Sequence, residues 1–417
     1  MRQTTLFTKT SKEAPKDEAS KNAILLLRAG FIYKEMAGVY SYLPLGLRVL
    51  NKIINVIREE MNKLDATSEV ELASLQSKET WEPTDQWSDA NVEVWFKTKL
   101  KNESELGLAF THEASMAKMM KEFINSYRDL PRNVYHFKTK FRNEIRARSG
   151  IMRTREFLMK DLYTFSRTEE EHKERYETLK QAYYDIFKRL GIGDQTFLTY
   201  ASGGVFAKFS HEFQTISESG EDTIYLNEKA KIAVNKEVFN DEMLTSLGYK
   251  TEDFVEKKAI EVGNIFNLST RFSDALDLKF VDEDGEKKSV IMGSYGIGPA
   301  RVMATIVELL SDDKGIIWPE EIAPYKIHLL HLGENKDVIE TAESLYKKLG
   351  DAGYDVLFDD RSSVTNGEKF ADADLIGCPW RIIVSEKTLA NESVEIKART
   401  SDKAEMLKIN KAVEHFK

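Results

Sequence analysis

The chain has 417 residues, 41% hydrophobic and 31% charged, with a net charge of −9. That is apolar material for two or three cored domains, and 10% aromatic content excludes wholesale disorder. The longest apolar runs, near 23–27 and 326–332, fall short of the roughly 20 residues that cross a bilayer, so no membrane association is expected. The single cysteine, Cys378, excludes an internal disulfide framework and any Cys-x-x-Cys metal site, and seven scattered histidines do not replace one. With a polar N-terminus lacking the apolar core of a secretory signal, these features point to a cytoplasmic protein without a metal site of its own.

Ser20 is placed to cap a helix through 33, and a second helix is expected over 44–64, opened by Pro44. Its Leu47, Leu50, Ile54, Ile57, Met61 and Leu64 recur at three and four residues and form one apolar stripe. A strand is expected over 92–98 and a helix over 113–127, with Met116, Met119 and Met120 as packing. Segments 134–141 and 156–165 alternate as two antiparallel strands joined by a long mobile loop. Ten basic residues and only three acidic ones lie between Arg128 and Lys160, so this hairpin is a candidate polyanion groove despite the acidic total. Thr168 and Glu171 form a capping box opening a helix to 189. Strands follow at 196–200 and 212–217, then a charged, weakly periodic surface insertion over about 225–260. A strand at 289–294, a glycine-rich turn at 293–298 and a buried helix at 299–310 complete this part. Beyond Trp318 the pattern becomes strand 327–332, helix 338–349, strand 355–358, helix 367–375, strand 381–384, a small α/β domain. Two domains are therefore expected, 1–322 and 323–417.

Several short patterns carry chemistry. In Phe141-Arg-Asn-Glu144 an arginine suited to bidentate phosphate binding precedes a carboxylate, although a simple ion pair at i, i+2 fits equally. The Gly293–Gly298 segment followed by Arg301 offers close backbone approach, a fixed cation and a helix N-terminus, yet it has neither P-loop nor dinucleotide-fold spacing. Thr111 and Glu113 open a helix, as a cap and dipole-matched acid or as a receptor for a substrate amine. A lone histidine such as His211 is compatible with a structural role, and Cys378 with an inert buried thiol.

In this order, the pieces resemble the class II aminoacyl-tRNA synthetases, and within them the bacterial type of prolyl-tRNA synthetase. The resemblance runs nearly end to end. It rests on residues 29–48 as the family's first motif, Thr111-His-Glu113, Lys140-Phe-Arg-Asn-Glu144 with Arg155-Glu-Phe-Leu-Met-Lys-Asp161 as the second, Ser210-His-Glu-Phe-Gln214, Val262-Gly-Asn-Ile-Phe266, and Met292–Arg301 as the third. Asp359-Asp-Arg361 and 370–377 resemble its anticodon-binding domain. The resemblance implies an α+β catalytic domain, an antiparallel sheet flanked by helices, followed by an α/β anticodon-binding domain, in a homodimer formed through the first-motif helix. It implies a proline–tRNA ligase whose substrates are proline, ATP with Mg²⁺, and tRNA(Pro). Arg142 would hold the ATP α-phosphate and the substrate carboxylate, Glu144 and Phe157 the adenine, and Arg301 the far phosphates, with Gln214 also in the ATP site. Thr111 and Glu113 would receive the proline amine beside His211 and Ser294, and Asp359, Asp360 and Arg361 would read the anticodon.

Three departures stand out. Ser294 replaces the family's usual cysteine, and Asn264 its usual histidine. Gln214 and Tyr295 are only 81 positions apart, too few for the family's large editing domain. No editing of alanyl-tRNA in cis is expected, which leaves that task to a separate deacylase acting in trans. The rival readings are a non-catalytic synthetase paralogue and a ligase for another small amino acid.

Overall fold

A computed structural model describes residues 1–15, 18–145, 147, 149–202 and 209–416. The chain divides into two compact units, one formed by 1–35, 40–53 and 306–417, the other by 36–39 and 54–305. The first thus brings N-terminal segments together with the C-terminal fold, a grouping unlike a simple cut after residue 322. Among the described residues no helix is long and apolar enough to cross a membrane.

In chain order, the elements used below begin with helix α1 (Pro44–Asn62), strand β1 (Thr67–Glu69), helix α2 (Glu113–Met120), strands β2 (Arg132–Phe141) and β3 (Glu156–Ser166), and helix α3 (Glu169–Arg189). Next come strands β4 (Thr196–Ser202), β5 (Phe209–Ile216), β6 (Asp222–Asn227) and β7 (Ile232–Asn235), helix α4 (Asp241–Leu247), strands β8 (Val255–Ser269) and β9 (Ile291–Ile297), and helix α5 (Pro299–Leu309). The C-terminal part runs β10 (Ile327–His331), α6 (Lys336–Asp351), β11 (Val356–Asp359), α7 (Asn366–Ile376), β12 (Trp380–Val384), β13 (Ser393–Ala398) and β14 (Glu405–Lys408).

The 54–305 unit is built on one sheet in the order β5-β4-β7-β6-β8-β9-β3-β2-β1, antiparallel except for β1 with β2 and β7 with β4. A further pairing of β5 with β8 closes β4, β5, β8, β6 and β7 into a circuit. One face of the central strands packs on a core that includes Phe110, Met116, Tyr163, Phe165, Phe272 and Met292. Helix α3 covers the other face through Leu179, Tyr183, Ile186 and Phe187, all buried. Thr168 caps α3 by accepting the Glu171 N–H, while the Glu171 carboxylate accepts the Arg167 N–H, so the expected box forms one residue offset.

The segment expected as a surface insertion is instead core-forming. Ile224, Leu226, Ala233 and Ala259 fill one cluster, and Val234, Leu244 and Phe254 another against α4. Most of its lysines and glutamates, such as Glu228, Lys229, Lys231, Lys236 and Glu237, lie in the turns between these short elements, which hides the period of the inward positions. The expected glycine-rich turn is also a strand: Gly293 and Gly296 sit in β9. A Cβ at Gly293 would lie 2.7 Å from the Tyr295 hydroxyl and one at Gly296 2.6 Å from Asn264 Oδ1. These glycines serve close packing rather than chain reversal.

In the other unit the sheet order is β11-β10-β12-β13-β14, with β11, β10 and β12 parallel and the last two strands antiparallel. Leu329, Val338, Leu345, Phe358, Ile382 and Ile396 are among its core residues. The first helix ends earlier than expected, at Arg28, because Gly30 takes φ +71° and turns the chain into a strand over Ile32–Met36. Ser20 precedes it without a side-chain capping bond.

Gly46 lies in the first turns of α1, where a Cβ would fall 2.0 Å from the Phe31 carbonyl oxygen. Gly46→Ala is expected to lower stability by about 1–3 kcal/mol, the overpacking cost exceeding the gain in helix propensity. Denaturant unfolding of both proteins measures it, and an unchanged or raised midpoint would contradict this packing.

Candidate active site

The site follows from strand register. β2 and β3 pair without interruption from Arg132 opposite Phe165 to Phe141 opposite Glu156. Side chains alternate, so Phe157, Met159, Asp161 and Tyr163 share one face of β3, and Lys160 and Leu162 the other. In β9, Ser294 opposes Tyr163 and Gly296 opposes Asp161, and β8 extends these rows to Phe266 and Asn264.

On this face a cavity is lined by Arg142, Glu144, Phe157, Glu261, Asn264 and Arg301, among others. Arg142 lies just past the end of β2. Its Nε donates to the Phe110 carbonyl at 3.4 Å, and its guanidinium sits 5.3 Å from the Phe157 ring centre. Burial, and then the charge of Arg301, push the Arg142 pKa down. Two cations therefore face one cavity, an arrangement that favours an anion between them. Arg301, in the first turn of α5, donates through Nη1 to the Glu261 carboxylate at 3.0 Å and through Nε to the Met152 carbonyl at 3.0 Å. The alternative Arg142–Glu144 ion pair does not form: Glu144 accepts from Arg153 at 2.9 and 3.1 Å, with both arginine and glutamate beyond the strand end. Arg146 and Arg148 of the basic stretch lie outside the described residues.

Thr111 and Glu113 come to the same face. The Thr111 hydroxyl does not cap α2; it donates to Glu113 Oε2 at 2.5 Å, and Ser294 donates to Oε1 at 3.2 Å. Burial raises the Glu113 pKa. A buried carboxylate whose side-chain donors, among the described residues, are hydroxyls is matched to an ammonium group.

His211 is not part of this pocket. Ser210 belongs to the row of Phe266 and Ser294, so its neighbour in β5 points to the opposite face. There His211 Nδ1 bonds the Tyr176 hydroxyl at 2.6 Å and its ring meets Tyr200. Gln214 does share the site face, one bulge beyond Glu212, and its Nε2 donates to Glu212 at 2.9 Å and Asp222 at 2.8 Å.

The sequence reading missed that acidic group. Burial and the Glu261 charge push the Glu212 carboxyl up to about 8, and burial raises Asp222 as well. Gln214 Oε1 is buried with no hydrogen-bond partner. Crowded carboxylates and an orphaned carbonyl suit a divalent cation. The available signal was alternation: Glu212 and Gln214 occupy same-face positions in a strand. A second missed cluster joins His112, His136, Lys140 and Asp161 beneath the Glu113 pocket. His112, His136 and Asp161 offer ligand atoms within 4.8 Å, but the Lys140 ammonium already bonds among them.

In the C-terminal unit, Asp359 is fully buried and accepts from Arg361 at 2.7 and 2.9 Å. Arg361 also reaches Asp372 at 2.9 Å. Asp360 accepts the Thr4 backbone N–H at 2.9 Å and the Thr4 hydroxyl at 2.6 Å. All three expected anticodon readers are thus tied into their own unit.

The model of the class II tRNA synthetase core domain (G, H, P, S and T) matches residues 96–309, and that of the anticodon binding domain matches 326–417. A proline–tRNA ligase of Azorhizobium caulinodans is 36% identical over 443 residues, covering all of both chains. That of Rickettsia rickettsii (strain Sheila Smith) is 37% identical over 417 residues, covering 97% of each chain. The crystal structure of prolyl-tRNA synthetase from Cryptosporidium parvum complexed with L-proline and AMP shares the fold, with a TM-score of 0.76 at 17% identity over 95% of this chain and 73% of that one. With full-length relatives at this identity and both family domains in sequence, the chain belongs to the proline–tRNA ligase family of class II aminoacyl-tRNA synthetases.

Proposed function

We infer that the protein activates proline with ATP to prolyl-adenylate and transfers it to the 3′ end of tRNA(Pro). The observation that carries this is one sheet face holding Arg142, a partly buried cation that bonds the Phe110 carbonyl rather than a carboxylate among the described residues, beside Arg301, which Glu261 pairs, together with Glu113, a buried carboxylate whose side-chain partners are the Thr111 and Ser294 hydroxyls. The first pair suits triphosphate and substrate carboxylate, the second the proline amine. In-line attack of the carboxylate on the α-phosphate brings two anions together. Arg142 offsets their repulsion and holds the geometry, Phe157 offers a stacking face for adenine beside Glu144, and Arg301 grips the distal phosphates. No enzyme nucleophile is needed, and AMP leaves when the terminal ribose hydroxyl takes the prolyl group.

Glu261, with Glu212 and Asp222, would hold Mg²⁺, which neutralises phosphate charge when bound. Leu47, a large apolar residue left 46% exposed on α1, supports a homodimer formed through that helix. Burial pushes the Cys378 thiol up to about 12, an inert thiol consistent with a cytoplasmic protein. The 225–260 segment is occupied by β6, β7, α4 and the start of β8, which supports the absence of a large editing insertion there and would leave clearance of mischarged alanyl-tRNA to a separate deacylase in trans. A functional division of the chain at 322/323 is supported by the anticodon-binding model, whose match begins at 326. A non-catalytic paralogue is disfavoured because Arg142 and Arg301 both remain in the cavity. Asp359, Asp360 and Arg361 shape the anticodon-binding surface; direct base contact by them would require breaking ion pairs first.

Four outcomes follow. ATP–pyrophosphate exchange should depend on L-proline, with alanine and cysteine poor substitutes; folded enzyme with Mg²⁺ and no such exchange refutes the activity. Arg142→Ala should lower kcat/KM of exchange by on the order of 10² to 10³, with tRNA retained on filter binding. Glu113 must be ionised to pair with the amine, and its pKa is raised, so the proline KM should climb as pH falls from neutral toward 5. In Glu113→Gln the KM should be high and flat over that range, and a wild-type acid limb in that variant would remove Glu113 from the role. Finally, Arg361→Ala should destabilise the protein by about 3 kcal/mol, because it leaves buried Asp359 short of its partner. Calorimetric unfolding checks this, and an unchanged transition would free Arg361 for base reading.

A further inference from the structure

Four polar side chains beneath the amine pocket take no part in the proposed chemistry. His112, His136, Lys140 and Asp161 are all buried. His136 and Lys140 lie four residues apart on one face of β2, and Asp161 is paired directly with His136 across the β2–β3 ladder. Lys140 Nζ lies 2.5 Å from Asp161 Oδ2 and 3.3 Å from His136 Nε2, and it also bonds His112 Nδ1.

The hydrogen-bond chemistry fixes the His112 tautomer. Its Nε2 is 3.0 Å from the Ala73 carbonyl, which can only accept, so Nε2 carries the proton and Nδ1 is the acceptor. The ammonium is then the only donor that Nδ1 needs. Burial and the Lys140 charge drive the His112 pKa down to about 2, so the neutral ring persists at any working pH.

The flanking residues give this cluster its interest. Thr111 and Glu113, the two groups offered to the amine, sit on either side of His112. Arg142, offered to the phosphate, is two residues beyond Lys140. Asp161 opposes Gly296 in β9, two positions from Ser294. One ammonium thus ties the turn that carries the carboxylate to the strand that leads to the arginine. A buried ion pair is a poor way to gain stability, since apolar residues of equal volume usually do as well or better.

We propose that Lys140 is a positioning residue for proline binding: its ammonium, anchored by Asp161, holds the His112 ring and thereby sets Thr111 and Glu113 opposite Ser294. This rests on the reading of Glu113 as the amine receptor.

Steady-state pyrophosphate exchange on purified full-length variants tests it, with folding checked by circular dichroism and thermal unfolding. Lys140→Met removes the donor but strands Asp161, so His112→Leu, which keeps the Lys140–Asp161 pair, is the second variant. Both should raise the proline KM at least tenfold with the ATP KM within twofold. His112→Gln, whose amide can accept from Lys140 and donate to Ala73, should return the proline KM to within threefold of wild type. The double variant His112→Leu/Lys140→Met should be no worse than the worse single one, because both act through one contact. A wild-type proline KM in folded His112→Leu, equal rises in both KM values, or no rescue by glutamine would overturn the proposal. Wild-type enzyme lacking proline-dependent exchange would instead overturn the reading beneath it, and this proposal with it.

Discussion

Register between β3 and its two neighbours is the constraint on which everything else hangs. β3 pairs along nearly its whole length with β2 and along most of it with β9, and side chains alternate, so one choice of register decides which of two residue sets faces the cavity. Phe157, Asp161 and Tyr163 go with Ser294 and Gly296; Lys160 and Leu162 go with α3. A slip by one residue would exchange the sets. The sheet guards against this from both sides: Lys160 Nζ reaches the Tyr183 hydroxyl at 2.8 Å and the Tyr295 carbonyl at 3.0 Å on the rear, and Lys140 holds Asp161 at 2.5 Å on the front. Both lysines are fully desolvated, and burial brings Lys160 down to about 7. Each is therefore a costly residue in a position that apolar packing could fill, and each would be stranded by a slip.

The same face leaves charge unbalanced in a patterned way. Arg142 and Arg301 are cations drawn together, with Glu261 bonded to Arg301, while Glu113, Glu212 and Asp222 are carboxylates whose burial holds them above their usual range. Imbalance of both signs on a single face is what a zwitterionic amino acid and a polyphosphate would complete. The groups are fixed in advance by hydroxyls and carbonyls: Thr111 and Ser294 for Glu113, Phe110 for Arg142, Met152 for Arg301. Little reorganisation is then left for the reaction itself.

How much of this was legible in the sequence depended on range. The 3.6-residue stripe of α1, the capping signal that opens α3, and the strand–helix alternation after Trp318 are local and agree with the observed elements within a few residues. Arg142, Glu144, Phe157 and Arg301, expected at the ATP, do line one cavity, and Thr111, Glu113 and Ser294 do meet. What failed required knowledge of pairing. His211 sits beside residues of the right face, yet a strand puts neighbours on opposite sides. The glycines of β9 look like a turn until the side chains of Tyr295 and Asn264 are seen to claim the space. Asp359 and Arg361 look like exposed readers until Asp372 and Lys369 are brought to them by α7. Lys140 and Asp161 appear as two more charges in a basic hairpin, and only the ladder shows them meeting in the interior.

The short length can be argued in the same physical terms. Cutting a large domain out of the stretch between β5 and β9 would leave sheet edges whose unpaired backbone groups invite aggregation. Here the remaining chain folds back as β6, β7 and the first half of β8, and the pairing of β5 with β8 closes the circuit. Ile224, Leu226, Ala233 and Ala259 give the closed strands an interior. The closure also delivers Asp222 to Gln214 and, through the long β8, carries Glu261 to Arg301. The shortened segment is therefore part of the site's scaffold.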